Sequence, residues 1–413
     1  MYSCNKSRLE ELLYEFSMFG KTSNNGVTRL CFSQEDVQAR DYFRKFCEEL
    51  GLDVVWDDMG NMYAKLDGKK DIPPIVIGSH LDSVEKGGRF DGVLGVLSGL
   101  EVVKTLIEHK EELIAPIVVM NFTNEEGARF DPAMMSSGVL ANKFDKEKML
   151  YSKDKDGVTF KEALEASGYV GKKSNRLKKA LSYLELHIEQ GPVLESEQLE
   201  IGVVEGVLGM VCYEITITGQ SNHAGTTPMK LRKDPFFLAT DLITEMRKKL
   251  DKIDDALVYT MGRVNVTPNI HTVIPNKVVF TLEARHQDPA KIKEVEEVIF
   301  SLPEEQAGCS VSFEKLWSRD TVQFDESLCS LIQNACEEYS YTFKRMYSGA
   351  GHDAQFIASY IPSAMIFVPS VNGKSHCEEE LTSFEDCVKG ANVLLRTVLA
   401  LQRNLSKQES KTM

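Results

Sequence analysis

Through the first two hundred residues, short uninterrupted apolar runs alternate with stretches of helical period. NMYAKL and PIVIGSH read as strands, the second apolar throughout, as in a strand buried on both faces. A helix rich in small residues is predicted after Gly92 (GVLGVLSGLEVVKTLIEH), followed by the strand IVVMNFT. Ser33 is placed to cap a helix running through Glu48, with Gly51 as its stop. Strands alternating with helices predict an α/β domain with a mixed, largely parallel sheet flanked by helices.

The pattern changes after about Val207. VCYEITITG alternates as a strand, Pro235–Leu250 is helical, VYTMGRVNV and KVVFTLEARHQ are strands, Pro289–Phe300 is helical, and CSVSFEKLW is a strand. The order βαββαβ describes an α+β sandwich of about 110 residues. After Phe324 the helix ESLCSLIQNACEEYS and the strand SAMIFVPS resume the α/β character. The expected organisation is a discontinuous first domain, 1–208 and 325–413, with residues 209–324 inserted into it. The polar tail NLSKQESKTM is expected to fray.

Composition narrows the function classes. A 413-residue chain is long enough for two domains. Its net charge of −14, with no basic cluster interleaved with aromatics, argues against nucleic acid as a partner. No apolar stretch reaches the ~18–20 residues of a membrane span, and the start lacks the pattern of a signal peptide. Nine scattered cysteines without a CxxC pair fit reduced thiols and a cytoplasmic location.

The chemistry gathers in polar, glycine-bearing loops just after strand-like runs, where α/β proteins place their sites. GSHLDSV puts His80 and Asp82 on one face of an extended segment, so Asp82 is expected to hydrogen-bond the far nitrogen of a metal-ligating His80. GGRFDG supplies Asp91, NEEGARF supplies Glu125 and Glu126, LELHIEQGP supplies His187, and GKSHCEEE supplies His376. Taken singly, each histidine reads as a hydrogen-bonded core or surface residue, and the acidic pair reads as a solvated turn. Together they suit divalent ions. With one carboxylate bridging, five side chains can hold two ions and leave another carboxylate as a base toward water.

These stretches, with NHAGTTPM and SGAGHDAQ, resemble the N-carbamoyl-L-amino-acid hydrolases, allantoate amidohydrolases and β-ureidopropionases, from about Gly26 to about Gln402. This group is a branch of the aminoacylase/carboxypeptidase-type dinuclear metallopeptidases. The resemblance implies two divalent ions per subunit (zinc, manganese, cobalt or nickel). His80, Asp91 and His187 would hold one, and Asp91, Glu126 and His376 the other, with Glu125 as general base. It implies that the insert is a lid and dimerisation domain. From that domain His223 would polarise the scissile carbonyl in the partner subunit of a homodimer. Gln190 and Gly349 match substrate-contacting positions, and Arg285 matches an arginine that grips the substrate carboxylate. The implied activity is hydrolysis of a small-molecule ureido or amide substrate bearing a carboxylate. An N-carbamoyl-L-amino acid comes first, with allantoate, or an aminoacylase or dipeptidase substrate, as alternatives.

One position departs from the pattern. The family's asparagine thirteen positions before the arginine is Thr272 here, in PNIHTVIPN, which leaves Asn269 or His271 to take over its contact. His352 and Asp353 read equally as supports behind the metal ligands or as turn residues. The motifs also divide over the branch, GGRFDG leaning toward the carbamoyl-amino-acid hydrolases and GAGHDAQ toward the allantoate enzymes.

Overall fold

The computed structural model describes residues 2–412, with side chains through Lys407. It divides into two compact units, one of residues Met1–Gly206 and Gln323–Met413, the other Val207–Val322.

The larger unit is built on a mixed sheet. Its strands are β1 (Asp53–Trp56), β2 (Met62–Leu66), β3 (Ile75–His80), β4 (Ile117–Phe122), β5 (Ser182–Ile188), β6 (Ile201–Val207) and the later strands Val322–Gln323, Phe343–Ser348 and Ser363–Val368. The order is β1-β2-β4-β3-β5-(363–368)-β6-(322–323), with 343–348 pairing β6. The block β4-β3-β5-(363–368) is parallel, and antiparallel strands flank it. All four parallel strands are buried along their whole length, which is why β3, β4 and Ser363–Val368 read as largely apolar runs rather than as alternation.

Helix α1 spans Lys6–Ser17, and α2 spans Gln34–Glu49 with Ser33 accepting from the Asp36 N–H at its N-cap. Helix α3 (Val93–Glu108) lies on the sheet. Its glycines set the approach: a Cβ on Gly95 would stand 2.5 Å from the Leu186 carbonyl oxygen, and one on Gly99 3.0 Å from Ile77. The last helix, Phe384–Thr412, continues through the polar tail that was expected to fray. Among the described residues no helix is long and apolar enough to cross a membrane.

The second unit is a six-stranded antiparallel sheet in the order (264–267)-(277–286)-β7-(309–319)-(305–306), where β7 is Gly209–Thr218 and 258–260 also pairs 277–286. Helices Pro235–Leu250 and Pro289–Phe300 begin at proline behind Asp234 and Asp288 caps. They pack on one sheet face through Leu242, Leu250, Val295 and Ile299 against Ile215, Ile217, Phe280 and Leu282. The stretch VYTMGRVNV is two strands rather than one. Val264 faces Phe280 while Thr260 faces Glu283, so the ladder slips by one residue at Gly262.

Candidate metal centre

The carboxyl ends of the four parallel strands converge. His80 is the last residue of β3, and His187 is the last but one of β5. Glu125 and Glu126 follow β4 in a turn made by Asn124 (φ +58°) and Gly127 (φ +67°). Ser375 and His376 follow the strand Ser363–Val368. Asp91 comes from the loop before α3, and glycine suits position 92 there twice over, since its φ is +66° and a side chain would run into the His80 ring.

Asp91 is the hub. Its Oδ1 lies 3.2 Å from His187 Nε2 and 3.6 Å from His80 Nε2. Its Oδ2 lies 3.4 Å from His376 Nε2, which is also 3.3 Å from Glu126 Oε2. Two triads therefore share one carboxylate: His80–Asp91–His187, fully buried, and Asp91–Glu126–His376, open on the His376 side. Glu125 belongs to neither, though its Oε2 is 3.5 Å from His80 Nε2.

The protonation pattern tests whether these residues fit a cation. His80 Nδ1 is 2.9 Å from the Asp82 carbonyl oxygen, and His187 Nδ1 is 3.0 Å from that of Ile188. A carbonyl only accepts, so both Nδ1 atoms carry hydrogen, and in the neutral rings both Nε2 lone pairs face the Asp91 carboxylate. Acceptors turned on one another around a buried point require a cation or extra protons. His187 Nε2 and Glu126 Oε1 are buried without a hydrogen-bond partner. The donor set of imidazoles and carboxylates fits a divalent ion.

Titration behaviour follows from this crowding. Burial alone would raise Asp91, but the surrounding His187, His376 and His80 hold its carboxyl well below the usual range. Burial, then the neighbouring Asp91 charge, pushes Glu126 up to about 8. Burial drives Glu125 well above the carboxylate range against the opposing pull of His80. A hydrogen bond with Asp91 lifts His376 to about 9.

One expected contact is different. The Asp82 carboxylate does not hydrogen-bond His80; its nearest oxygen is 3.9 Å from Nδ1. Its two oxygens accept the consecutive N–H groups of Glu125 and Glu126, each at 3.2 Å. Those amides sit in a buried turn with no strand to pair them, so the carboxylate satisfies them and the Asp82 carbonyl fixes the His80 tautomer instead.

Gln190 adopts φ +57° and donates from Nε2 to Asp91 Oδ2 at 2.7 Å and Ser375 Oγ at 3.2 Å. His352 is buried, 2.9 Å from Ser348 Oγ, with its ring 4.5 Å from that of His187. Gly349 is exposed, and a Cβ there would meet nothing within 4 Å. Asp353 is buried, and burial with the nearby Glu185 raises its carboxyl well above the usual range.

Five singled-out residues belong to the second unit. His223 pairs with Val273 in a two-residue ladder, and the Ala224 N–H donates to the Thr272 carbonyl, so Thr272 is held beside His223. His223 Nδ1 accepts the N–H groups of Gly225 (3.0 Å) and Thr226 (3.2 Å), which leaves Nε2 carrying the hydrogen on an exposed ring. Asn269 and His271 are exposed. Arg285 lies on the helix-free sheet face, its Nε 2.7 Å from Glu283 Oε1.

Sequence reasoning missed Glu185 and Glu380. Glu185 accepts from Ser79 Oγ (2.7 Å) and Tyr183 OH (2.8 Å) beneath the site. Its signal was a charged residue inside the otherwise apolar run preceding His187. Glu380 is the last of three successive glutamates and the buried one, which nothing in the string CEEE reveals.

The profile of peptidase family M20/M25/M40 matches residues 76–400, a span holding every residue of both triads. The chain belongs to this family. An N-carbamoyl-L-amino-acid amidohydrolase of Rhizobium meliloti is 39% identical over 96% of each chain. The allantoate amidohydrolase of Escherichia coli K12 is 32% identical over 94% of this chain and 96% of that one. The crystal structure of a hydantoinase/carbamoylase family amidase from Burkholderia multivorans superposes with TM-score 0.92 at 40% identity, covering 96% of this chain and 98% of the other. Within M20/M25/M40 the chain thus falls in the branch of the carbamoyl-amino-acid and allantoate amidohydrolases, enzymes that hydrolyse C–N bonds.

Proposed function

We propose that the chain is a metal-dependent amidohydrolase whose substrate is the ureido group of an N-carbamoyl-L-amino acid. The observation that carries the reading is Asp91 shared by two triads with a buried, unassigned Glu125 alongside. The names of the Rhizobium meliloti, Paenarthrobacter aurescens and Geobacillus stearothermophilus relatives support the substrate class. Allantoate is the second reading, supported by the Escherichia coli and Bacillus subtilis relatives.

His80, Asp91 and His187 would hold one divalent ion, and Asp91, Glu126 and His376 a second, zinc, manganese, cobalt or nickel all suiting these donors. Bound there, such ions supply positive charge that acidifies water and polarises a carbonyl. Glu125 takes the proton of the attacking water, in surroundings that favour its neutral form, and delivers it to the leaving nitrogen. Asp82 holds the peptide that aims Glu125. His223, with its hydrogen on Nε2, donates to the developing oxyanion in the other copy of a homodimer, residues Val207–Val322 acting as lid and dimer contact. Arg285 binds the substrate carboxylate bidentately in exchange for Glu283. Asn269, Thr272, Gln190, Gly349 and His352 line the substrate. Nine free cysteines support a reducing, cytoplasmic setting.

The test is release of ammonia and free amine from N-carbamoyl-L-amino acids, N-carbamoyl-β-alanine, allantoate, N-acetyl amino acids and dipeptides, each with added manganese or zinc. Turnover of an N-carbamoyl-L-amino acid is expected. Turnover confined to the acetyl and peptide substrates would overturn the assignment.

A further inference from the structure

Building on the two-cation reading above, we propose that Glu380 is the positioning residue of the second cation site, fastening the loop that carries Asp91 to the loop that carries His376. The Glu380 carboxylate is buried, 3% of the residue being exposed. Its Oε1 accepts two consecutive backbone N–H groups, those of Phe90 and Asp91, each at 3.1 Å. Its Oε2 lies 3.0 Å from Ser375 Oγ, which in turn lies 3.1 Å from Asp91 Oδ2. One side chain thereby fixes the peptide plane of the shared ligand and the residue preceding His376.

The two sites depend on this tie unequally. His80 and His187 stand on fully buried strands, and among the described residues Glu380 hydrogen-bonds neither. His376 sits in a loop at φ +54°, its side chain 53% exposed, with no strand to hold it. The chain also leaves a place for the tie: Gly88 is buried, and a Cβ there would fall inside the Glu380 carboxylate. Glu378, two residues earlier, instead accepts from Thr22 and Asn24.

The experiment is calorimetric titration of chelator-stripped protein with Mn²⁺, with metal content by mass spectrometry and a thermal melt for each variant. Wild type is expected to take up two equivalents. Glu380→Ala should keep one at wild-type affinity and bind the other about 10–100-fold more weakly, the usual cost of removing a residue that orients a ligand. Gly88→Ala keeps the glutamate in the chain but pushes its carboxylate aside, and should give the same selective loss. Glu380→Gln retains an oxygen for the two amides and should recover most of the affinity. If Glu380→Ala and Gly88→Ala bind both equivalents as wild type does, or lose both alike alongside a lower melting temperature, the proposal is overturned while the metal centre stands. A wild-type chain that takes up no divalent ion overturns the metal centre, and this proposal with it.

Discussion

Gly92→Ala tests the geometry of the site through a single methyl group. The new Cβ would stand 2.4 Å from His80 Cε1 and Nε2, against the 3.4 Å at which ordinary contacts begin, so ring and loop must part by about 1.0 Å. The backbone adds to this, since φ +66° at Gly92 costs an L-residue ~1 kcal/mol or more. Overpacking of a buried site typically costs ~1–3 kcal/mol, so the total is about 2–4 kcal/mol of stability. The functional loss should exceed what that stability suggests. A ligand displaced by ~1 Å costs on the order of 10²-fold in turnover, as the productive geometry is missed. Paired measurements decide: a thermal melt, and kcat with metal content on protein still folded at 25 °C. A folded Gly92→Ala chain with wild-type metal affinity and turnover would refute the claim that His80 is held in place by the absence of that Cβ.

Glu125→Gln should keep its metal and its melting temperature while kcat falls about 10²–10⁴-fold, the range for a lost general base; equal loss of metal would make Glu125 a ligand instead. On the proposed trans arrangement, mixing inactive Glu125→Gln with inactive His223→Ala should restore roughly a quarter of wild-type activity once subunits exchange, because half of the resulting dimers would carry one intact site of two. No recovery after verified exchange would place His223 in its own subunit's site. Stability of the stripped chain should fall as pH rises from 7 to 9. Glu380 (about 7), Glu126 (about 8) and His376 (about 9) all titrate above their ordinary values, so each favours the folded state when protonated and loses that contribution as pH climbs through its folded value. Added Mn²⁺ should flatten this slope in melts across the range, and a stripped chain without it would count against the crowding described around Asp91.

Much of the architecture was legible because it rests on local signals. The buried runs of β3, β4 and Ser363–Val368 and the capped starts at Ser33, Pro235 and Pro289 are written in consecutive residues. The ligand types were legible too, since histidines and acids after apolar runs are costly to keep without a purpose. What was not legible depends on which atom faces which. Asp82 turned its carbonyl to His80 and its carboxylate to two amides, a choice made by tertiary packing. The ladder of Asn222–His223 with Val273–Ile274 is two residues long and has no period to detect.

The strand Ser363–Val368 lies between β5 and β6, which are neighbours in sequence and yet never touch in the sheet. Both precede in sequence the strand that separates them, which comes only after the whole of Val207–Val322. Pairing across such sequence distance is slow and exposes unpaired edges. His376 arrives later still. A nascent or truncated chain that stops short of His376 therefore lacks one member of the second triad and cannot complete the pair that shares Asp91.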